Sequence, residues 1–223
     1  MVITIGAEKG GVSKTRMATH IAALAARDEV DCVLLDTDKQ GSAMSWSRIR
    51  NEEGVLPAIP VLALPPNPAR ELANLASKYT LVIVDIGAQN YRTMLECALL
   101  SDIVIVPCGP DQQEVESTLN VFETLNEMGP RHETGSVPAH VVLTRVSPKE
   151  NAKATIELRD YFASEGISVF KAHIAQREAW RATGKSGRAL HELKGADRSL
   201  KAISEMQAVY DEIIQRINGK EVH

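Results

Sequence analysis

The chain is short of aromatics, short of cysteine and without a long apolar run, and each scarcity narrows what it can be. Only 4% of its 223 residues are aromatic against 44% hydrophobic, so the core must be built from Ala, Val, Ile and Leu. No apolar stretch approaches the roughly 18–20 residues that span a bilayer. The run Met1-Val2-Ile3-Thr4-Ile5-Gly6 has neither the basic start nor the cleavage site of a secretory leader, so none is expected. Cys32, Cys97 and Cys108 lie in apolar surroundings with no metal-ligand spacing. An odd, scattered set of this kind implies buried thiols in a reducing compartment. A net charge of −4 argues against a surface basic enough to bind nucleic acid throughout, while leaving room for a local patch.

What is there is alternation. Val2–Ile5, Cys32–Leu35, Leu81–Ile86, Ile103–Val106, His140–Leu143 and Val169–His173 read as strands, several of them continuous in Val, Ile and Leu, as burial on both faces requires. Segments 14–27, 41–51, 68–78, 90–100, 111–128, 149–165 and 197–217 carry the helical period. Asn90 and Asp111 are expected N-caps, and Gly129-Pro130 and Gly166 expected stops. Residues 54–68 hold five of the ten prolines, Pro57, Pro60, Pro65, Pro66 and Pro68, and suggest a stiff surface connection around a short strand. The alternation predicts an α/β fold over residues 1–223, a mostly parallel central β-sheet with helices on both faces and ligands at the carboxyl ends of the strands. In the last helix Leu200, Ile203, Met206, Tyr210, Ile213, Ile214 and Ile217 form one apolar stripe. Glu205, Asp211 and Glu212 interrupt the lysine-rich polar face a membrane-surface helix would need, so the stripe is expected to pack on the sheet or a partner chain.

The segment Ala7-Glu8-Lys9-Gly10-Gly11-Val12-Ser13-Lys14-Thr15 follows the first strand and opens the first helix, the context a phosphate-binding loop requires. It departs from G-x-x-x-x-G-K-[ST] at Glu8 and Ser13. Gly10 and Gly11 allow a close turn around phosphate oxygens, and the helix N-terminus adds unpaired N–H groups and a positive dipole. Lys14 would reach the β- and γ-phosphates, and the Thr15 hydroxyl would bind Mg²⁺. With Lys9 included, the string resembles K-G-G-x-x-K-[ST], the deviant Walker A motif of the ParA/MinD family, and thus the P-loop NTPase fold. The resemblance implies an ATP-bound homodimer in which Lys9 reaches the other subunit's phosphates. It places the nucleotide on Gly10, Gly11, Val12, Ser13, Lys14, Thr15 and Arg16. Ser13 stands where glycine is common; it is tolerable in the right-handed helical region and costly at positive φ. Arg16 replaces a threonine that helps hold the α-phosphate.

Further motifs follow in order. Cys32-Val33-Leu34-Leu35-Asp36-Thr37-Asp38-Lys39-Gln40 resembles hydrophobic-D-x-D-P-Q with Lys39 for proline. By that resemblance Asp38 positions the attacking water and Asp36 supports the magnesium shell or the loop; a capping turn into the helix at 41 is the plainer alternative. Tyr79–Asp85 matches a Walker B strand whose Asp85 would hold Mg²⁺, followed by a γ-phosphate-sensing loop, Ile86-Gly87-Ala88-Gln89. Thr144 and Arg145 fall where relatives contact adenine and ribose. No N-K-x-D motif is present, so ATP is expected over GTP. The catalytic set implied is Lys9, Lys14 and Asp38, and the metal set Thr15, Asp36 and Asp85.

From Lys171 to Lys201 the chain has eight Lys and Arg against three acids, a net of +5 in a molecule of −4. Such asymmetry suggests an anionic partner. His173–Trp180 resembles the region after the last core strand of short ParA proteins, which implies sequence-independent DNA binding by Arg177, Arg181, Lys185 and Arg188. The chain is thus similar to the short ParA form without an N-terminal helix-turn-helix extension. The resemblance implies a slow, partner-stimulated ATPase of the bacterial cytoplasm, nucleoid-associated when ATP-bound, that segregates or positions DNA with a ParB-like adaptor. The alternative is a non-DNA cargo such as a conjugation complex, chemoreceptor cluster or microcompartment. A MinD-like membrane regulator fits less well, and so does a dethiobiotin-synthetase-like ligase, which needs a substrate carboxylate site. An iron–sulfur relative would need cysteines in glycine-rich loops, and Cys97 is not in one.

Overall fold

The computed structural model describes residues 1–65, 68–88, 90–149 and 152–219. Elements run β1 (Val2–Ile5), α1 (Lys14–Arg27), β2 (Cys32–Asp36), α2 (Ser42–Glu52), β3 (Val61–Ala63), α3 (Ala69–Ala76), β4 (Leu81–Asp85) and α4 (Tyr91–Ala98). They continue β5 (Ile103–Cys108), α5 (Gln112–Met128), β6 (Ala139–Val146), α6 (Lys153–Ser164), β7 (Val169–Ala175), α7 (Ala179–Ser186) and α8 (Leu200–Ile217). The strands form one sheet of order β3-β2-β4-β1-β5-β6-β7, and each pair is parallel. This is the α/β P-loop NTPase architecture that the alternation and the loop predicted.

Strand side chains alternate between two cores. Ile3, Ile5, Leu81 and Ile83 face a cluster that includes Met17 and Ile21 of α1, Trp46 of α2, Trp180 of α7 and Met206 and Ile213 of α8. Val2, Val82 and Val84 face the other, with Leu72 of α3, Met94 of α4, Phe122 of α5 and Phe162 of α6. Successive side chains of a strand point to opposite faces, so a strand covered on both sides must be apolar throughout, which is why these segments do not alternate with polar residues. The stripe of α8 packs on β7 as expected except at its first residue, since Leu200 is 70% exposed. All three cysteines are buried and unpaired, and burial pushes the Cys97 thiol up to about 12.

Several boundaries differ from the sequence reading. β6 extends through Thr144 and Arg145, which therefore lie inside a strand rather than at its end. α7 was not foreseen: it has only eight residues and carries Gly184 within it, too little pattern to register as a helix. Asp111 caps α5, accepting from Gln113 N at 3.0 Å. Asn90 precedes α4 without a side-chain cap and donates instead to the Thr37 carbonyl. Pro66, Gln89 and positions 150–151 of the helix expected over 149–165 lie outside the described residues, and α6 begins at Lys153.

Candidate functional site

The parallel register brings the carboxyl ends of three strands together. Ile5 pairs with Asp85 and Asp36 with Asp85, so the β1–α1 loop, the β2–α2 loop and the β4–α4 loop converge on one crevice. Thr37 ties two of them: its hydroxyl donates to the Asp85 carbonyl at 3.0 Å and accepts from Gly87 N at 2.9 Å. The crevice is a cavity of about 440 Å³ lined by Gly10, Gly11, Ser13, Lys14, Thr15, Arg16, Asp38, Gln40, Ser42 and Ile86–Ala88. Gly87 is glycine for a steric reason, because a Cβ there would lie 3.0 Å from the Asp38 Cα.

The loop of residues 6–13 is held by its neighbours. The Thr144 hydroxyl, fully buried, donates to the Val12 carbonyl at 3.3 Å. Ser117 of α5 donates to Glu8 at 2.8 Å, so the residue with no counterpart in the motif anchors the loop's outer side. Lys14 is buried and its Nζ donates to the Lys9 carbonyl at 2.6 Å. Burial lowers its pKa, opposed by the nearby carboxylates of Asp85, Asp38 and Glu114. Lys9 is exposed, one residue before Gly10 of the cavity lining. Gly11 has φ +78° and Ser13 φ +76°, both left-handed. Ser13 thus takes the costly branch: a Cβ in that region is worth roughly 1–2 kcal/mol of strain. The fold imposes it because the next residue must start α1 with its N–H groups turned toward the cavity.

The three acidic residues divide by partner. Asp36 accepts from Asp38 N at 2.9 Å, Ala43 N at 2.9 Å and Met44 N at 3.0 Å. Its carboxylate therefore holds the loop and caps α2, the loop-supporting half of its expected role and the capping alternative together. Asp38 is half-buried, accepts from Gln40 N at 3.0 Å and lines the cavity. Asp85 is 1% exposed, and among the described residues neither carboxylate oxygen has a hydrogen-bond partner. Burial raises its pKa to about 7, with the Thr15 side chain pulling down and Asp36 pushing up. An orphaned buried carboxylate beside a hydroxyl at a phosphate-sized crevice fits a hard divalent cation, which takes oxygen ligands from one or two carboxylates and the substrate's phosphates.

A second cavity of about 360 Å³ continues past Ser13 and Arg16 to Arg145, Ile174–Glu178, Trp180 and Arg181. Of the two residues expected at adenine and ribose, Arg145 borders it, with its guanidinium on Glu114. Thr144 does not: it is 0% exposed and serves the loop from inside, a correction that follows from its position within β6. Gln176 and Glu114 escaped the sequence reading, the first for want of a motif and the second because its partner is distant in sequence. Of the basic candidates, Arg177 is also corrected: its guanidinium is 17% exposed and paired with Glu205 through Nε and Nη2. Arg181, Lys185 and Arg188 line one surface groove of about 560 Å³ with Lys194, alongside Glu178 and Asp197. Arg181 is 75% exposed and pairs loosely with Glu178, while Arg188 lies 3.7 Å from Glu53.

A glycine-bearing loop between the central strand and its helix, a buried lysine at the turn and an unpartnered aspartate one strand over define a P-loop nucleotide-binding protein. Residues 3–190 match the CobQ/CobB/MinD/ParA nucleotide binding domain, and the chain belongs to that family. It is 28% identical over 97% of its length to a maintenance of carboxysome distribution protein A from Gloeobacter kilaueensis, covering 94% of that protein. It is 29% identical to the chromosome-partitioning ATPase Soj of Thermus thermophilus over 56% of its own length and 61% of Soj's. Among solved structures, a plasmid partition protein from Borrelia burgdorferi bound to AMPPNP superposes with a TM-score of 0.70 at 19% identity, covering 97% of this chain and 99% of that one.

Proposed function

We propose that the chain is a ParA-type ATPase, a switch that dimerises on ATP with Mg²⁺, binds DNA without reading its sequence and positions a cargo through an adaptor protein. The observation that carries this reading is Lys9, exposed next to the cavity-lining Gly10 with its own carbonyl engaged by Lys14. Among the described residues this cation has no ion-pair partner, and a second subunit's phosphates supply one. Gly10 to Arg16 hold the phosphates, with Lys14 as the fixed cation. Thr15 and Asp85 hold Mg²⁺, which neutralises charge on the phosphate oxygens when bound. Asp38, reachable and beside Gly87, orients the attacking water. The groove of Arg181, Lys185 and Arg188 contacts DNA phosphates, so that the dimer is retained on the nucleoid until hydrolysis releases it.

Segregation of plasmid or chromosomal DNA with a ParB-like partner is one cargo. A non-DNA cargo is a second reading, favoured by the near full-length similarity to the carboxysome distribution protein against the partial match to Soj. Lys9→Ala tests the switch. Light scattering with ATP and Mg²⁺ should show a dimer for the wild type and a monomer for the variant, with unchanged melting of the nucleotide-free chain. A variant that still dimerises on ATP rejects the proposal.

A further inference from the structure

Three residues from two loops close a ring beside Asp38. Gly87 N donates to the Thr37 hydroxyl at 2.9 Å, Asn90 N donates to the Gly87 carbonyl at 3.0 Å, and the Asn90 side-chain amide donates to the Thr37 carbonyl. Thr37 is buried, and its backbone N–H and its hydroxyl both donate to the Asp85 carbonyl, at 3.1 and 3.0 Å. The ring thus fastens the β2–α2 loop to the β4–α4 loop and to the end of β4. Asp38 follows Thr37 directly and rests on Gly87. A Cβ on that glycine would lie 3.0 Å from the Asp38 Cα and 3.1 Å from its Cβ and Cγ. The carboxylate's own tie is local, Oδ1 accepting from Gln40 N at 3.0 Å. Its direction therefore depends on where the Gly87 backbone stands. Asn90 gives an independent sign of this arrangement. An asparagine at the start of a helix ordinarily caps it. Here α4 has no side-chain cap, and the amide is turned across to the neighbouring loop.

We infer that Thr37 and Asn90 are positioning residues for hydrolysis: through Gly87 they hold the Asp38 carboxylate in the direction from which it orients the attacking water. This rests on the reading of Asp38 given above. Thr37 and Asn90 are not among the residues lining the phosphate cavity, and Asn90 borders an adjoining cavity of about 300 Å³ with Asp38. The pair therefore acts on turnover and not on nucleotide affinity. A reacting geometry is held by the groups behind it, and a small displacement of the group that orients a reactant costs rate steeply. The Thr37 hydroxyl serves both as donor and as acceptor, which serine reproduces and valine, of nearly the same shape, does not.

The test is steady-state ATP hydrolysis with Mg²⁺ by the full chain, with Asp38→Ala as the reference. Thr37→Val and Asn90→Ala should each lower kcat and kcat/KM together by at least ~10-fold with KM unmoved, the scale of a buried group left unpaired. Thr37→Ser should return turnover to within about threefold of the wild type. Without nucleotide, the Gly87 amide should exchange hydrogen at least ~10-fold faster in Thr37→Val and near the wild-type rate in Thr37→Ser. Should Thr37→Val fail to fold, Asn90→Ala, at a half-buried position, decides alone. Wild-type turnover in Thr37→Val or Asn90→Ala overturns the inference, as does a rise in KM at unchanged kcat or a loss that Thr37→Ser leaves unrepaired. Wild-type turnover in Asp38→Ala removes the role of Asp38 itself, and the inference with it.

Discussion

The phosphate crevice and the basic segment after β7 are built in opposite ways. In the crevice, groups that could be satisfied are left exposed or orphaned: Lys9 exposed next to Gly10, Asp85 without a hydrogen-bond partner among the described residues, Ser13 in a strained conformation. In the basic segment two charges, one of each sign, are consumed by partners elsewhere in the chain. Arg177 is on Glu205, and the acid at Glu192 accepts two hydrogen bonds of 2.7 Å from Arg50, which is 0% exposed. Binding sites hold unmet interactions, whereas a structural segment spends its charges on itself. The two pairings cancel in the count, since Arg177 and Glu192 are each neutralised from outside residues 171–201, so the net of +5 stands and is presented from other positions, such as the groove of Arg181, Lys185 and Arg188.

The sharpest way to break that contrast is at Glu192. Burial opposes its ionisation, but hydrogen bonds from Arg50 and from Ala189 N hold its pKa below the usual carboxylate range. Glu192→Ala leaves the Arg50 guanidinium buried and unpaired, and should cost about 3–5 kcal/mol in urea denaturation. Replacing both residues by apolar ones of similar volume should recover most of that loss, since the pair itself contributes little beyond its own desolvation.

Asp85 should behave in the reverse sense, because removing its charge relieves the fold. Its pKa rises from an ordinary 3.8 to about 7 on folding. Both states hold the proton below 3.8, so the protonated carboxyl's stabilisation is complete there and is lost as pH climbs through about 7, where the native state must carry a buried unpaired charge. Without nucleotide and in EDTA, the wild-type melting temperature should fall between pH 5 and pH 8 relative to Asp85→Asn. Nucleotide with Mg²⁺ should restore the wild type and leave the variant unmoved.

A smaller effect is expected at Ser13. Ser13→Gly removes the Cβ from the left-handed region and should stabilise the nucleotide-free chain by about 1 kcal/mol in denaturant titration. Smallest for stability are Arg181→Ala and Lys185→Ala, each within about 0.5 kcal/mol, as for any exposed pair or lone surface charge. Their effect should appear in DNA binding, where each lost phosphate contact reduces the slope of log affinity against log salt by about 0.9. An unchanged slope would return this groove to the self-spent class with Arg177.

Much of this was legible in the residues. Four apolar residues closing on an acid, as at Leu81–Asp85, read as a strand covered on both faces, and Lys9–Thr15 between a strand and a helix reads as a turn rich in N–H donors. Local pattern carries such features because strand pleat, helix period and glycine's backbone freedom act over a few residues. The α7 helix was not legible, being short and glycine-interrupted. Nor was the role of Thr144, which depends on β6 running three residues past Leu143 so that the hydroxyl meets Val12, 132 positions away.

By itself the sequence determined a mostly parallel sheet with helices on both faces and the loop that faces the phosphates, since these follow from periodicity and turn chemistry. Tertiary structure alone decided which charges remain available. Arg177 meets Glu205, Arg50 meets Glu192, Asp36 meets the start of α2, and the Asp85 carboxylate has no hydrogen-bond partner among the described residues. Coulombic and hydrogen-bond partners are chosen by distance in space after the chain has packed, and no spacing along the chain encodes that.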